Sequence, residues 1–163
     1  MNSAEQAERI SRLSVRIAHN MRVGAIVQSV LPGLTPAQLQ IMLLIDQSGE
    51  TDVSMSQMAR ELAVTMPSVT GLVDQLTQRG LVSRRHDEKD RRRVLVSLTT
   101  EGGKAVADVW GAIIVLLTRL LDRISEEDRE ALVASTERVF ALSLEMRQDE
   151  VATLESQSGK RTA

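Results

Sequence analysis

Between Gly80 and Thr99 the apolar residues give up helical spacing and take up another pattern. Leu81-Val82-Ser83-Arg84-Arg85 and Arg93-Val94-Leu95-Val96-Ser97-Leu98 are β-prone runs, and the charged stretch 86–92 lies between them. Two such runs around a polar loop predict a hairpin. The flanking segments keep the 3.6-residue period of amphipathic helices, so one hairpin has to be fitted into an otherwise helical body. With 163 residues, 42% of them hydrophobic, the chain has material for one core and a dimerisation arm, not for two ordinary domains. Trp110 and Phe140 are its only aromatic residues. The core must therefore be built from Leu, Val, Ile, Ala and Met, which suits helices packed on helices and an interface shared between two chains.

Residues 4–30 carry Ile10, Leu13, Ile17, Met21, Ile26, Val27 and Val30 at helical spacing and predict one helix, ended by Leu31-Pro32-Gly33. Thr35-Pro36-Ala37-Gln38 opens a second, with an N-cap, a proline at the first helical position and a glutamine closing a capping box. This helix is apolar nearly all round, so it should lie deep in the core, and Ser48-Gly49 stops it. Thr51-Asp52-Val53 suits a very short strand. Ser54-Met55-Ser56-Gln57 is a second capping box, starting a short helix with Met58, Ala59 and Leu62 facing inward. Ala63-Val64-Thr65 turns the chain into a helix capped by Thr65 or Met66, with a buried stripe of Val69, Leu72, Val73 and Leu76 and a C′ glycine at Gly80. After the hairpin, Thr99 caps a long helix to about residue 122, and Ser125-Glu126-Glu127-Asp128 caps a last one to about residue 154.

The net charge of −2 argues against a nucleic-acid partner, but its distribution argues for one. Residues 79–93 hold seven basic side chains against three acids, whereas residues 122–155 hold four against ten. A local basic cluster, not the whole-chain sum, attracts phosphate. The absence of cysteine excludes disulfides and thiol sensing, and His19 and His86 are too few for a structural zinc site. No metal or other cofactor is expected. No apolar leader is visible, and the apolar run 111–117 is far too short to span a bilayer. A soluble cytoplasmic protein with no membrane partner is the expectation.

Two short helices joined by a tight turn, with small residues Ala59 and Ala63 near it, make a helix-turn-helix candidate. Its second helix leaves Thr65, Met66, Pro67, Ser68, Thr70, Gly71 and Gln75 free of the buried stripe. Small hydroxyl residues at a helix start suit phosphate and base-edge contacts. Gly71 on an exposed face costs about 1 kcal/mol against Ala, so close approach of DNA or of another helix would explain it. The hairpin, tipped by Arg91, Arg92 and Arg93 and preceded by Arg84 and Arg85, has the form of a wing able to place an arginine in a narrow minor groove. Asp90 beside these arginines makes sense if its carboxylate holds one guanidinium in a fixed orientation through a charge-assisted pair.

The stretch from Gly80-Leu-Val through Asp90-Arg-Arg to Leu98-Thr-Thr-Glu-Gly102 resembles the signature of the MarR family. Ser68-Val69-Thr70 and Leu72-Val73-Asp74-Gln75-Leu76 resemble that family's recognition helix. The resemblance implies a mainly α fold with a small β-hairpin. It has an N-terminal dimerisation helix (1–34), a winged helix-turn-helix domain (35–99), C-terminal dimerisation helices (100–154) and a disordered tail (155–163). It further implies a homodimeric transcriptional regulator, a repressor by expectation, on a pseudo-palindromic double-stranded DNA operator. Arg92 matches the minor-groove arginine, Asp90 the residue that orients it, and Ser68 and Thr70 the major-groove positions. Gly71 departs from the polar side chain of many relatives. A small phenolic or aromatic acid is the implied effector, with Arg16, His19 and Arg22 as candidates to hold it.

Two rival readings have less support. Ser83, His86 and Asp87 would give a catalytic set, but they lie together on one hairpin rather than in a cleft, so no enzyme is expected. A winged-helix adaptor binding another protein has little need of an arginine-rich wing.

Overall fold

The computed structural model describes residues 2–49 and 52–159, with side chains up to Met146. The elements run α1 (Ser3–Asn20), α2 (Val23–Val30), α3 (Pro36–Gln47), β1 (Val53–Ser54), α4 (Met55–Glu61), α5 (Met66–Gln78), β2 (Val82–His86), β3 (Val94–Leu98), α6 (Thr100–Leu121) and α7 (Glu126–Gly159). The chain forms two units, one up to Leu116 and one from Leu117, so the division falls inside α6.

The single helix expected over residues 4–30 is two. The break lies at Arg22, which has φ +52° and makes no side-chain cap to α2. The apolar spacing runs on across the break through Ile17, Met21 and Ile26, which is why periodicity does not reveal it. Asn20 and Gly24 on either side are poor helix formers, and they weaken the helix where it parts. At the other end of the chain, α7 continues through residues 155–159, where disorder was expected. An established helix propagates through polar residues at little cost, and no proline interrupts this one. Residues 160–163, and Thr51 of the expected short strand, lie outside the described residues.

In the first unit both expected N-caps form, but of the two expected capping boxes only the one at Thr35 closes reciprocally. Thr35 and Gln38 close their box reciprocally, and the Ser54 hydroxyl accepts from the Gln57 amide. The core gathers Leu34, Ile41, Met42 and Ile45 with Met55, Met58, Val69, Val73 and Leu76, and the sheet adds Val53, Val82 and Val96. Each such side chain contributes about 1.5–3 kcal/mol when fully buried. The sheet order is β1-β3-β2, all antiparallel, with Val82 opposite Leu98 and His86 opposite Val94.

One junction fixes how the hairpin leaves the helices. Gly80, with φ +70°, ends the turn after α5. The Thr99 hydroxyl donates to the Gly80 carbonyl at 2.6 Å and accepts from the Gly102 amide at 3.0 Å. The Thr99 amide donates to the Leu81 carbonyl at 3.1 Å. A Cβ on residue 102 would lie 1.9 Å from that same carbonyl oxygen. The run Leu98-Thr99-x-x-Gly102 is therefore a weld between the hairpin base and the start of α6, and only glycine fits its last position.

Gly103, one residue on, has nothing within 4 Å of a Cβ. Gly102→Ala should therefore destabilise the fold by about 2–3 kcal/mol through overpacking. Gly103→Ala should be neutral or stabilise it by up to about 1 kcal/mol. Denaturant unfolding of the two variants side by side checks this pair.

Candidate nucleic-acid interface

The turn between α4 and α5 is tight because Ala63 adopts φ +52° and the Val64 amide donates back to the Ala59 carbonyl at 3.0 Å. Thr65 then caps α5. Its oxygen accepts from the Ser68 amide at 3.4 Å and lies 2.9 Å from the Ser68 hydroxyl. Val69, Val73 and Leu76 are fully buried and Leu72 half-buried, leaving Met66, Pro67, Thr70 and Gly71 exposed. The Thr70 hydroxyl donates to the Met66 carbonyl at 2.9 Å, so it offers lone pairs and a methyl group outward. A Cβ on Gly71 would meet nothing within 4 Å. Nothing among the described residues accounts for the glycine.

Gln75, expected among the free side chains of this helix, is used within the fold. Its carbonyl oxygen accepts from the Gln38 side-chain amide at 2.7 Å, while Gln38 itself is buried in the α3 capping box. Arg79 donates to the Pro32 carbonyl at 2.9 Å. Both bonds fasten α5 to the segment around the start of α3.

The wing tip is closed by its own backbone. The Asp87 amide donates to the Arg93 carbonyl at 3.0 Å and the Arg93 amide to the Asp90 carbonyl at 2.8 Å. His86 Nδ1–H donates to the Arg91 carbonyl at 2.9 Å, since a carbonyl only accepts. The Asp87 carboxylate accepts from the Lys89 amide at 2.9 Å. The Asp90 carboxylate accepts from the Arg92 amide at 3.0 Å. That last bond corrects the sequence reading: the Asp90 carboxylate meets the main chain of Arg92, not its guanidinium. Among the described residues Asp90 has no ion pair. An Asp accepting from the amide two residues on forms a local turn, and this competes successfully with a flexible surface pair.

The arginines divide into two groups. Arg84 pairs with Asp74 of α5 at 2.6 Å, Arg85 is forked onto Asp52 with Nε 3.2 Å from both oxygens, and Arg93 lies 3.6 Å from Asp87. The guanidinium groups of Arg91 and Arg92 have no partner among the described residues and are exposed. The bond to Asp52 holds the Arg85 guanidinium above its ordinary pKa. The Lys89 amide holds the Asp87 carboxyl below the usual carboxylate range against a smaller opposing effect of burial, with the Asp90 amide and Arg93 adding to it. A recess of about 260 Å³ between α5 and the wing is lined by Ser56, Met66, Thr70, Arg84, Arg92 and Arg93, among others. Sequence reasoning missed Asp52, Asp74 and His86 as parts of this surface. Each acts on a residue distant in sequence or through a main-chain group, and neither relation leaves a spacing pattern.

Other candidates are not brought together. Arg16 lies on an open depression of about 340 Å³ along α1, lined with Glu5, Glu8, Arg9, Arg12 and Leu13. His19 and Arg22 do not line it, and all three are exposed. Ser83 pairs its hydroxyl with Ser97 at 3.0 Å while His86 faces Arg91, so Ser83, His86 and Asp87 form no relay. Among the described residues no group of three or more His, Asp or Glu could hold a metal ion, and no helix is long and apolar enough to cross a membrane.

The family model for the MarR family matches residues 34–94. The repressor MdtR of Bacillus subtilis, named as an HTH-type transcriptional repressor, is 31% identical over 129 residues, covering 78% of this chain and 82% of that protein. The HTH-type transcriptional repressor YetL of the same organism is 29% identical over 101 residues, which span 62% of this chain and 60% of YetL. Among solved structures, a mutant of S. aureus MepR bound to an oligodeoxyribonucleotide superposes with a TM-score of 0.61 at 25% identity, covering 81% of this chain and 96% of that one. The chain belongs to the MarR family. It has the family's winged-helix fold and is a transcriptional regulator, not an enzyme.

Because Asn can accept the Arg92 amide as Asp does, Asp90→Asn should keep the wing tip's shape and bind polyanions at least as tightly as the parent. Asp90→Ala should bind more weakly, and titration against heparin or duplex DNA ranks the three. Asp87 titrates lower folded than unfolded, so its stabilisation of the turn is complete above about pH 4 and is lost as acid carries the pH through its lowered value. Asp87→Asn should abolish that part of the acid dependence, measured by following wing amide resonances from pH 6 downward.

Proposed function

We propose that this regulator binds double-stranded DNA as a cytoplasmic homodimer, with α5 in the major groove and the tip arginines Arg91 and Arg92 reaching the minor groove. The observation that carries the reading is the recess between α5 and the wing, where Met66, Thr70, Arg84, Arg92 and Arg93 meet although they come from separate stretches of sequence. Ser68 and Thr70 are the base-reading candidates. Thr70, whose hydroxyl already donates, suits a base-edge amino group or a thymine methyl. The two unpaired arginines supply phosphate attraction and entry into a narrow groove.

Dimerisation is supported by apolar side chains left exposed along α1, α6 and α7, among them Ile10, Leu13, Ile114, Val115, Val139 and Phe140. Exposed apolar surface on this scale is rare on soluble monomers. A homodimer would bind a pseudo-palindromic operator, with half-sites about 34–36 Å apart. Repression, and release by a small phenolic or aromatic acid, follow from the family likeness, with Arg16, His19 and Arg22 as candidate cations although they line no common pocket.

Selection of bound sequences from a random duplex pool, followed by salt titration, tests this function. A dimer touching six to ten phosphates should give a log–log slope of about −0.9 per contact. Arg92→Ala in both chains should remove up to about two units, and failure to enrich any sequence would overturn the reading. Sedimentation equilibrium should give a dimer at micromolar concentration. Gly71→Ala is a sharper probe, since it should stabilise the fold by about 0.5–1 kcal/mol yet weaken operator binding. Unchanged binding would remove α5 from the groove.

A further inference from the structure

From sequence, Arg84 is one more phosphate-binding cation on the wing. Its surroundings give it different work. It leaves β2 opposite Val96, a fully buried residue of β3, so its backbone is fixed by the sheet. Its guanidinium spans one turn of α5, with Nη2 donating to the Thr70 carbonyl at 3.1 Å and Nη1 2.6 Å from the Asp74 carboxylate. The Arg84 side chain keeps 28% of its exposure and Asp74 49%. Asp74 lies one turn beyond Thr70 on the same flank of α5 and is half-buried, so without its partner it would present an uncompensated negative charge there.

We infer that Arg84 is a positioning residue that sets the angle between α5 and the wing by holding the Thr70 carbonyl and the Asp74 carboxylate together, and that Asp74 is its required partner. This rests on the DNA reading above and deepens it. A guanidinium is suited to the task because its planar fork can serve two acceptors at once in fixed directions, which an ammonium cannot. Both acceptors lie on α5 and the donor on the sheet. The bond set therefore relates the helix that reads bases to the hairpin that carries Arg91 and Arg92. It also neutralises the one carboxylate on that stretch of the helix.

The two roles predict opposite results. The experiment compares the parent, Arg84→Ala, Arg84→Lys, Asp74→Ala and the double alanine variant. Each is titrated with a duplex selected by the parent from a random pool and with an unselected duplex, at several salt concentrations. Positioning predicts about a tenfold loss on the selected duplex for each single alanine variant, with the double variant no worse than either. Affinity for the unselected duplex should fall much less than for the selected one, the salt slope should be unchanged, and Arg84→Lys should lose affinity as Arg84→Ala does. If Arg84→Ala fails to fold, the lysine variant alone decides. Three results would overturn the inference: a slope falling by about 0.9 per arginine removed, tighter binding by Asp74→Ala, or full function with lysine. If the parent binds no duplex at all, the DNA reading itself falls and takes this inference with it.

Discussion

The first turn of α6 lies so close to the Leu81 carbonyl that only a hydrogen atom fits where residue 102 would carry a side chain. Three hydrogen bonds at Thr99, two donated and one accepted, complete the contact. At about 0.5–1.5 kcal/mol each, these bonds are modest. Their importance is geometric, because they fix where the hairpin starts relative to the end of α5. The register of β2 on β3, the direction of the wing and the reach of its tip all follow from that point. A displacement here would carry the whole hairpin with it, since Val82 and Val96 bury themselves in the same core as Val73 and Leu76.

Electrostatics then sorts the cations that this frame carries. Three arginines of the hairpin meet a carboxylate from another element or from the turn, whereas the two at the tip do not. Exposed ion pairs are worth about 0–1 kcal/mol, so they do not explain why the protein is folded. They explain which charges are free. A count of basic residues makes the wing uniformly positive, while the folded wing is largely self-compensated along its strands and positive at its end. Opposing carboxylates thus leave Arg91 and Arg92 as the unpaired guanidinium groups of the hairpin among the described residues.

Much of this was legible in the chain itself. Caps at Thr35, Ser54, Thr65 and Thr99, the glycine after α5 and the change of period at residue 81 all act over a few residues, and local chemistry decides them. The existence of the hairpin was legible for the same reason. The break at Arg22 was not legible, because the apolar spacing continues through it and only backbone geometry marks it. Nor were the partners of Arg84, Arg85 and Gln75, which lie on other elements and are chosen by how the elements pack. Asp90 shows the subtler limit. A link between Asp90 and Arg92 was readable, but the atom that its carboxylate meets is a main-chain amide, and side-chain logic alone looks to the guanidinium.

The sheet order has a consequence for the protein's behaviour in a crowded solution. Because β3 is central, β2 presents one row of backbone donors and acceptors with no neighbouring strand. An open edge of this kind invites a strand from another molecule. On β2 the side chains from Ser83 to His86 are exposed, and two of the four are arginines. A strand adding to this edge would have to accommodate or break the ion pairs of Arg84 with Asp74 and of Arg85 with Asp52. The residues that brace the wing from within thus also crowd the flank on which a foreign strand would have to settle.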